Sequence, residues 1–317
     1  MTVPTNTLQT YQSNYNAEDV SEIIMNISPI DTPLLTMAKK GTADATYTEW
    51  PTESLSAVDS ANANIEGDDA TIDTSSTPSR VGNHCQLMDK TVSVTTTQIN
   101  AIRKYGARNE FARQKAKKGK ELKRDIETIL FLNQARVVGA AGTAQKMRSM
   151  GSWLTSNVSR GATGASGNAT TAATDGTQRN FTEALFRTVL VSCATNANDM
   201  PSVVMAGPAN RANLSSQLAG NSTRFYELSD GQLNASISVY RSDYGPLKLV
   251  MNRFQRERDI WMLNPDYIEL RYLEPMQYQD LATTGLSQKG QMWCNLTLAV
   301  LAEPAHGVLA DMNTAVL

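Results

Sequence analysis

Histidine is nearly absent from this chain: 317 residues hold two, His84 and His306, in distant segments. Cysteine is also sparse, with Cys85, Cys193 and Cys294 far apart and odd in number. Neither set has metal-ligand spacing, and three scattered thiols suggest a reducing compartment rather than a disulfide framework. No apolar run approaches the ~18 residues that a membrane span needs. No basic residue precedes Lys39 and no apolar core precedes it either, which is unlike a secretory signal. The Asn-x-Ser/Thr triplets at Asn157 and Asn168 then reflect composition only. Phosphate loops are missing too. Gly139 to Gly151 contains Lys146 without the Gly-x-x-x-x-Gly-Lys-Ser/Thr order, and no dinucleotide fingerprint or Gly-x-Ser-x-Gly elbow occurs. Charged residues make up 19% of the chain, below the usual ~25%. Ser, Thr, Asn and Gln fill the deficit. The length suggests about two domains, or one elongated one.

One stretch dominates what is present. Ala107 to Val137 has no proline and is rich in Ala, Lys, Arg, Glu, Leu and Gln, so it reads as a single long helix with Gly139 as its stop. Phe111, Leu122, Ile126, Ile129 and Leu130 fall near one face, densely only in the second half. The first half carries Arg113, Lys115, Lys117, Lys118 and Lys120. Gly119 interrupts it and invites a bend.

Residues 42–79 are the electrostatic opposite. They hold eight acids (Asp44, Glu49, Glu53, Asp59, Glu66, Asp68, Asp69, Asp73) and no Lys or Arg. Thr46 to Trp50 and Val81 to Thr97 alternate like strands, which predicts a long hairpin with a polar, acidic tip that cannot bury itself. Residues 107–136 carry nine bases and four acids, net +5, beside a loop of net −8. Paired between subunits, such a loop and helix make a head-to-tail contact that builds rings and shells. Each exposed pair contributes only ~0–1 kcal/mol, so repetition supplies the total. The candidate contact residues are Glu66, Asp68 and Asp69 on the loop, with Arg113, Lys117, Lys118 and Lys120 on the helix. The plainer reading of both is a solvated surface. Glu66-Gly67-Asp68-Asp69 also has the oxygen chemistry of a divalent-cation site.

The remaining segments read more simply. Residues 1–15 form an extended arm, and Asn16 caps a short helix through Met25 that Pro29 and Pro33 end. Leu34 and Leu35 begin a small apolar patch, which Lys39-Lys40-Gly41 closes. Residues 138–180 are rich in Gly, Ala, Ser, Thr and Asn, and suggest a flexible insertion with Trp153-Leu154 as its one apolar anchor. Residues 181–275 suggest a compact α/β unit. Its helices are Phe181 to Ala194 and Pro208 to Leu218. Its strands are Ser202 to Ala206, Ile237 to Tyr240, Leu247 to Met251, Ile260 to Leu263 and Tyr267 to Leu273. Gln291 to Glu303 alternates as one long strand, and Val308 to Met312 adds a last one. The run Arg253 to Asp259 reads as a surface strand or loop. The helix is basic, but the chain as a whole is net −2 and no aromatics interleave the bases, which argues against specific nucleic-acid reading.

Five stretches, in order, resemble the major capsid proteins of tailed phages, which have the Hong Kong 97-like fold. They are Asn26-Ile-Ser-Pro-Ile-Asp-Thr-Pro-Leu-Leu35, Ile65-Glu-Gly-Asp-Asp-Ala70, Lys120-Glu-Leu-Lys-Arg-Asp-Ile-Glu127, Asn252-Arg-Phe-Gln-Arg256 and Ala305-His-Gly307. The resemblance implies an α+β chain made of an N-arm (1–40), an E-loop hairpin (41–85) and a P-domain with a spine helix (86–137). The flexible insertion (138–180) and an A-domain (181–275) follow, then a P-domain return strand with a final A-domain strand (276–317). It further implies hexamers and pentamers in an icosahedral shell around packaged double-stranded DNA, assembled in the bacterial host cytoplasm and found in the virion capsid. Separate scaffolding, portal and decoration proteins are the implied partners. No catalysis, cofactor, membrane contact or sequence-specific DNA binding is implied. A near-neutral chain suits a wall that should not grip phosphate backbone. The alternatives are a tail-tube or surface-layer subunit, against which the long charged helix argues, and an enzyme with a metal at Glu66 to Asp69.

Overall fold

A computed structural model describes residues 28–101 apart from 68, 70, 71, 73 and 74, residues 109–220 apart from 198, and residues 238–315. The expected arm and the Asn16–Met25 helix lie outside the described residues.

The chain opens with α1 (Pro33–Met37), β1 (Lys39–Thr42), β2 (Tyr47–Thr52), β3 (Ser79–His84), β4 (Gln86–Thr95) and α2 (Thr96–Asn100). The long helix is α3 (Glu110–Leu130). A short α4 (Met150–Trp153) and β5 (Val158–Ser159) follow, then α5 (Glu183–Asn196), β6 (Val203–Ala206) and α6 (Pro208–Gly220). Strands β7 (Val239–Ser242), β8 (Gly245–Met251), β9 (Ile260–Leu263), β10 (Ile268–Leu281), β11 (Ser287–Val300) and β12 (Gly307–Leu309) complete it.

Helix α3 starts where the Asn109 side chain accepts the Ala112 N–H at 3.0 Å, with Glu110 in the first turn, where the helix dipole favours an acid. Leu122, Ile126 and Leu130, one turn apart, are buried. The helix ends seven residues earlier than the expected Val137. Gln134, Ala135 and Arg136 are good helix formers, but the polar side chains of residues 133–136 bond elsewhere. Asn133 and the Ala173 backbone exchange two bonds, Gln134 donates to Gln86 and the Met147 carbonyl, and Arg136 donates to the Tyr47 hydroxyl. Gly119 faces β11, where a Cβ would make an ordinary contact with the Met292 side chain at 3.4 Å, so packing there does not require glycine.

Two larger sheets organise the rest. One has the order β1-β10-β11-β4, antiparallel except for the parallel β1–β10 pair. Helix α3 packs against β4 and β11. The second has the order β5-β12-β9-β6-β8-β7. It lies between two hydrophobic clusters, and β6 shows how. Val203 and Met205 point into the cluster shared with α3, while Val204 and Ala206 point toward Phe186, Leu190 and Leu214. A strand buried on both faces serves two cores by its two-residue repeat.

Three expectations are corrected. Tyr267 to Leu273 does not join the α/β unit. From Ile268 onward it is part of β10, a strand of fourteen residues paired with β11 in the other sheet, while Tyr267 ends a 3₁₀ turn. Val81 to Thr97 is two strands broken at Cys85: β3 pairs with β2, whereas β4 pairs with β11. Residues 138–180 are not a loose excursion on one anchor. Met147 and Met150 are as buried as Leu154, Val137 and Lys146 form a bridge, and β5 pairs with β12.

Candidate functional site

The hairpin is clamped at its root and bare at its tip. Strands β2 and β3 pair from Tyr47↔His84 to Thr52↔Ser79. Trp50 packs against Trp153, with ring centroids 5.6 Å apart, and its Nε1 donates to the Val300 carbonyl at 3.2 Å. Asn83, fully buried, donates to the Arg148 and Leu298 carbonyls at 3.0 and 2.8 Å and accepts the Arg148 N–H at 2.7 Å. Past Thr52 every described residue as far as Arg80 is exposed. Among them are Leu55 at 98%, Val58 at 97%, Ile65 at 79% and Ile72 at 94% exposure. The expected acidic tip therefore also carries spaced apolar side chains. Glu66 and Asp69 are exposed there, and Asp68 lies outside the described residues.

On α3 the candidate bases take partners from their own helix. Arg113 pairs with Glu110, with Nε to Oε2 at 2.9 Å. Lys117 and Lys118 converge on Glu121 at 4.0 and 2.7 Å, and Lys118 holds that carboxyl below its ordinary range. Lys120 is exposed. Half-buried i,i+3 and i,i+4 pairs of this kind contribute only a few tenths of a kcal/mol and are exchangeable.

The chain's main polar anchor was not identified from sequence. Glu127 is fully buried in the apolar half of α3. Its Oε1 accepts the Leu34 N–H at 2.9 Å and the Asn252 Nδ2 at 2.7 Å, and its Oε2 accepts the Leu35 N–H at 2.9 Å. Burial pushes its carboxyl above the ordinary range, against the pull of those three donors. Three of the five family-like stretches meet at this one carboxylate. An acid next to Ile126, inside the apolar stripe, was the available signal.

A second charged cluster joins the insertion, the β8–β9 connection and the end of the chain. Arg256 bonds Asp175 at 2.6 Å, and Arg258 bonds Asp175 at 3.2 Å and the fully buried Asp311 at 2.6 Å. Burial pushes Asp259 up to about 6. The stretch Arg253 to Asp259 is thus a loop, one of the two expected forms, but a half-buried structural knot rather than a surface one, with Gln255 and Asp259 buried. His306, also fully buried, accepts the Asn264 N–H on Nδ1 at 3.1 Å, and burial pushes it down to about 4. His84 and His306 stay apart: one faces Tyr47 on the hairpin, the other sits beside β9. All three cysteines are buried and unpaired. Among the described residues, no group of three or more His, Cys, Asp or Glu side chains is placed to hold a metal ion, and no helix is long and apolar enough to cross a membrane.

A protein-family model described as SU10 major capsid protein matches residues 3–313. The major capsid protein of Escherichia phage Phieco32 is 38% identical over 127 residues, 40% of this chain and 36% of that protein. The match therefore spans about a third of that curated relative's length. Among solved structures, the capsid asymmetric unit of cyanophage A-1(L) aligns with a TM-score of 0.64 at 13% identity, covering 96% of this chain and 98% of that one. A Gordonia phage Cozz structure aligns at 0.58 with 11% identity, covering 97% and 96%. The holo-SrpI encapsulin complex from Synechococcus elongatus PCC 7942 aligns at 0.57 with 11% identity, covering 94% and 93%. At such identities the likeness is one of fold.

Proposed function

The chain belongs to the family of SU10 major capsid proteins, and from that membership we propose that its copies assemble the icosahedral shell enclosing the double-stranded DNA of a tailed phage. Its α+β architecture is the Hong Kong 97-like fold of phage capsid structures. On this reading the protein is structural and non-catalytic. It resides in the virion capsid after assembly in the bacterial cytoplasm, with hexamers and pentamers as its units. Scaffolding, portal and decoration proteins are its partners, and it encloses DNA without reading sequence.

The observation that carries this reading is the hairpin. Its root is built into the core through Trp50 and Asn83, while its tip exposes Leu55, Val58, Ile65 and Ile72. An arm anchored at its root, with four bare apolar side chains along its tip, is read as one that lies on a neighbouring subunit. We assign residues 41–85 as the E-loop and α3 as the spine helix, with β4, β10 and β11 as the P-domain sheet. The β6–β9 region with α5 and α6 is the A-domain. In the shell the loop lies on a neighbour's α3, where Glu66, Asp68 and Asp69 meet Arg113, Lys117, Lys118 and Lys120. Arg113, Lys117 and Lys118 exchange or share their partners, because weak i,i+3 and i,i+4 pairs give way at little cost, whereas Lys120 has no acidic partner among the described residues to give up.

Negative-stain electron microscopy beside sedimentation velocity tests the function. Round shells or uniform rings are expected, from the protein alone or with its co-expressed head proteins. A monomer that forms no particle under either condition overturns it.

A further inference from the structure

Two adjoining hollows run along one side of α3. The first, about 420 Å³, is lined by Ala112, Ala116, Gly119 and Met292, with Lys120 at its edge. The second, also about 420 Å³, lies toward α1 and is lined by Leu35, Ile126 and Cys294, with Lys40 at its edge. Both include Lys123 and Met276, so they form one groove.

Its rim is electrostatically unsatisfied. Lys40, Lys120 and Lys123 are exposed, and among the described residues none has an acidic partner. The neighbouring bases of α3 do not share this state. Arg113, Lys117 and Lys118 are paired, and Lys115 sits 3.3 Å over the Tyr278 ring. An apolar floor with unpaired lysines on its rim fits a segment that is apolar on one side and acidic on the other.

The chain itself contains such a segment just before the described residues. Glu18, Asp19 and Glu22 stand among Val20, Ile23, Ile24 and Met25, helical spacing would put Val20, Ile23 and Ile24 opposite Glu18 and Glu22, and no base occurs before Lys39. The groove begins at Thr32, and the link from Ser28 to Thr32 reaches up to ~14 Å when extended. From Ile126 to Ala112 the helix rises ~21 Å, and a stretch the length of Glu18 to Met25 spans ~12 Å as helix or ~27 Å extended. The segment is within reach of the groove, as a helix it is short enough to lie inside it, and its acids complement the unpaired lysines.

We propose that Glu18 to Met25 of the same chain occupies this groove, with its apolar side chains on Met276 and Met292 and its acids against Lys120 and Lys123. The arm then braces the helix from within the subunit. The residues 112, 116, 119, 120 and 123 share a face that excludes 117, 118 and 121 by helical spacing. Lys120 lies at the edge common to both contacts, whereas Arg113, Lys117 and Lys118 belong to the loop's alone and Lys123 to the arm's, so the two readings fail separately at those residues.

The test is zero-length carbodiimide cross-linking of the full chain, mixed from unlabelled and ¹⁵N-labelled protein, read by mass spectrometry. Amides from Glu18, Asp19 or Glu22 to Lys120 or Lys123, within a single isotope, are expected. Mixed-isotope products of Glu18, Asp19 or Glu22 mean that another copy supplies the arm, and products from Glu66 or Asp69 to Lys123 mean that the loop occupies the groove. Either overturns the proposal. A second measurement guards against unreactive geometry. Amide exchange of the 18–25 peptide should quicken about tenfold in a Lys120→Glu, Lys123→Glu variant. It should return to the parent rate when Glu18→Lys and Glu22→Lys are added. Unchanged exchange in the first variant, or no rescue in the second, also overturns the proposal.

Discussion

Glu127 sits fully buried with three donors on its two oxygens. Removing the carboxylate strands the Leu34 and Leu35 amides and the Asn252 amide group. A buried donor without a partner costs ~1–3 kcal/mol. Glu127→Ala should therefore lose about 3–5 kcal/mol, a fall in Tm of roughly 10 °C. Glu127→Gln should lose less, because its carbonyl can keep the two bonds now made by Oε1. Calorimetry of the three proteins decides this, and an alanine variant melting within a degree or two of the parent refutes the anchor. His306 supplies the pH test. Folded, it titrates near 4, whereas an unfolded histidine titrates near 6.5. Above pH 6.5 neither state binds the proton. As pH falls from there, the unfolded chain takes up a proton that the fold refuses, and stability drops by ~1.4 kcal/mol per unit until about pH 4. Asn at position 306 can still accept the Asn264 N–H but has no such titration. Between pH 7 and 4.5 the parent should lose about 2–3 kcal/mol more than His306→Asn. Equal losses would mean that the imidazole is not kept neutral by burial.

At the scale of elements, what could be read depended on where each partner lay. Strands β6, β8 and β9 were found almost residue for residue, because buried apolar runs bounded by turns identify themselves locally. The sheet that each strand joins did not follow from the run itself. Tyr267 to Leu273 looked like the hairpin mate of Ile260 to Leu263, but a short 3₁₀ turn at Pro265–Tyr267 sends the strand from Ile268 onward into the other sheet, against Leu296 and Val300. Long-range side-chain bonds misled in the same way: Asn133, Gln134 and Arg136 end α3 by bonding outside it. The candidate bases were correctly placed on one helix, yet their pairing with Glu110 and Glu121 was overlooked in a count of net charge. That pairing shapes a prediction. Reversing Lys117 and Lys118 to Glu puts like charges beside Glu121, at a few tenths of a kcal/mol each. Leu122, Ile126 and Leu130 hold the helix by burial. The variant should thus melt within about 1 kcal/mol of the parent while its assembly is impaired. Normal shells with parental melting would remove these two lysines from the contact.

For the whole molecule the question is what holds one subunit's loop on the next. Net charge suggested that the acids do. The exposed side chains argue for a different balance. Full burial of a Leu, Ile or Val side chain stabilises by ~1.5–3 kcal/mol, whereas an exposed ion pair contributes ~0–1 kcal/mol and weakens with salt. Leu55, Val58, Ile65 and Ile72 are almost wholly exposed in the single chain. If a neighbour covers even two of them, apolar contact outweighs the Glu66, Asp68 and Asp69 pairs, and the charges set register and encounter rate. Two variants separate the contributions. Ile65→Ser with Ile72→Ser should leave the isolated subunit as stable as the parent, since these side chains are bare in it, but should lower shell stability at every salt concentration. Glu66→Gln with Asp68→Asn and Asp69→Asn should weaken shells mainly at low salt and converge on the parent above ~0.5 M, where screening has already removed most of the surface attraction. Thermal dissociation followed by light scattering across a salt series reads both. A serine variant with parental shell stability, beside an acid-deleted variant that fails at all salts, would return the contact to electrostatics and leave the apolar tip without a role in assembly.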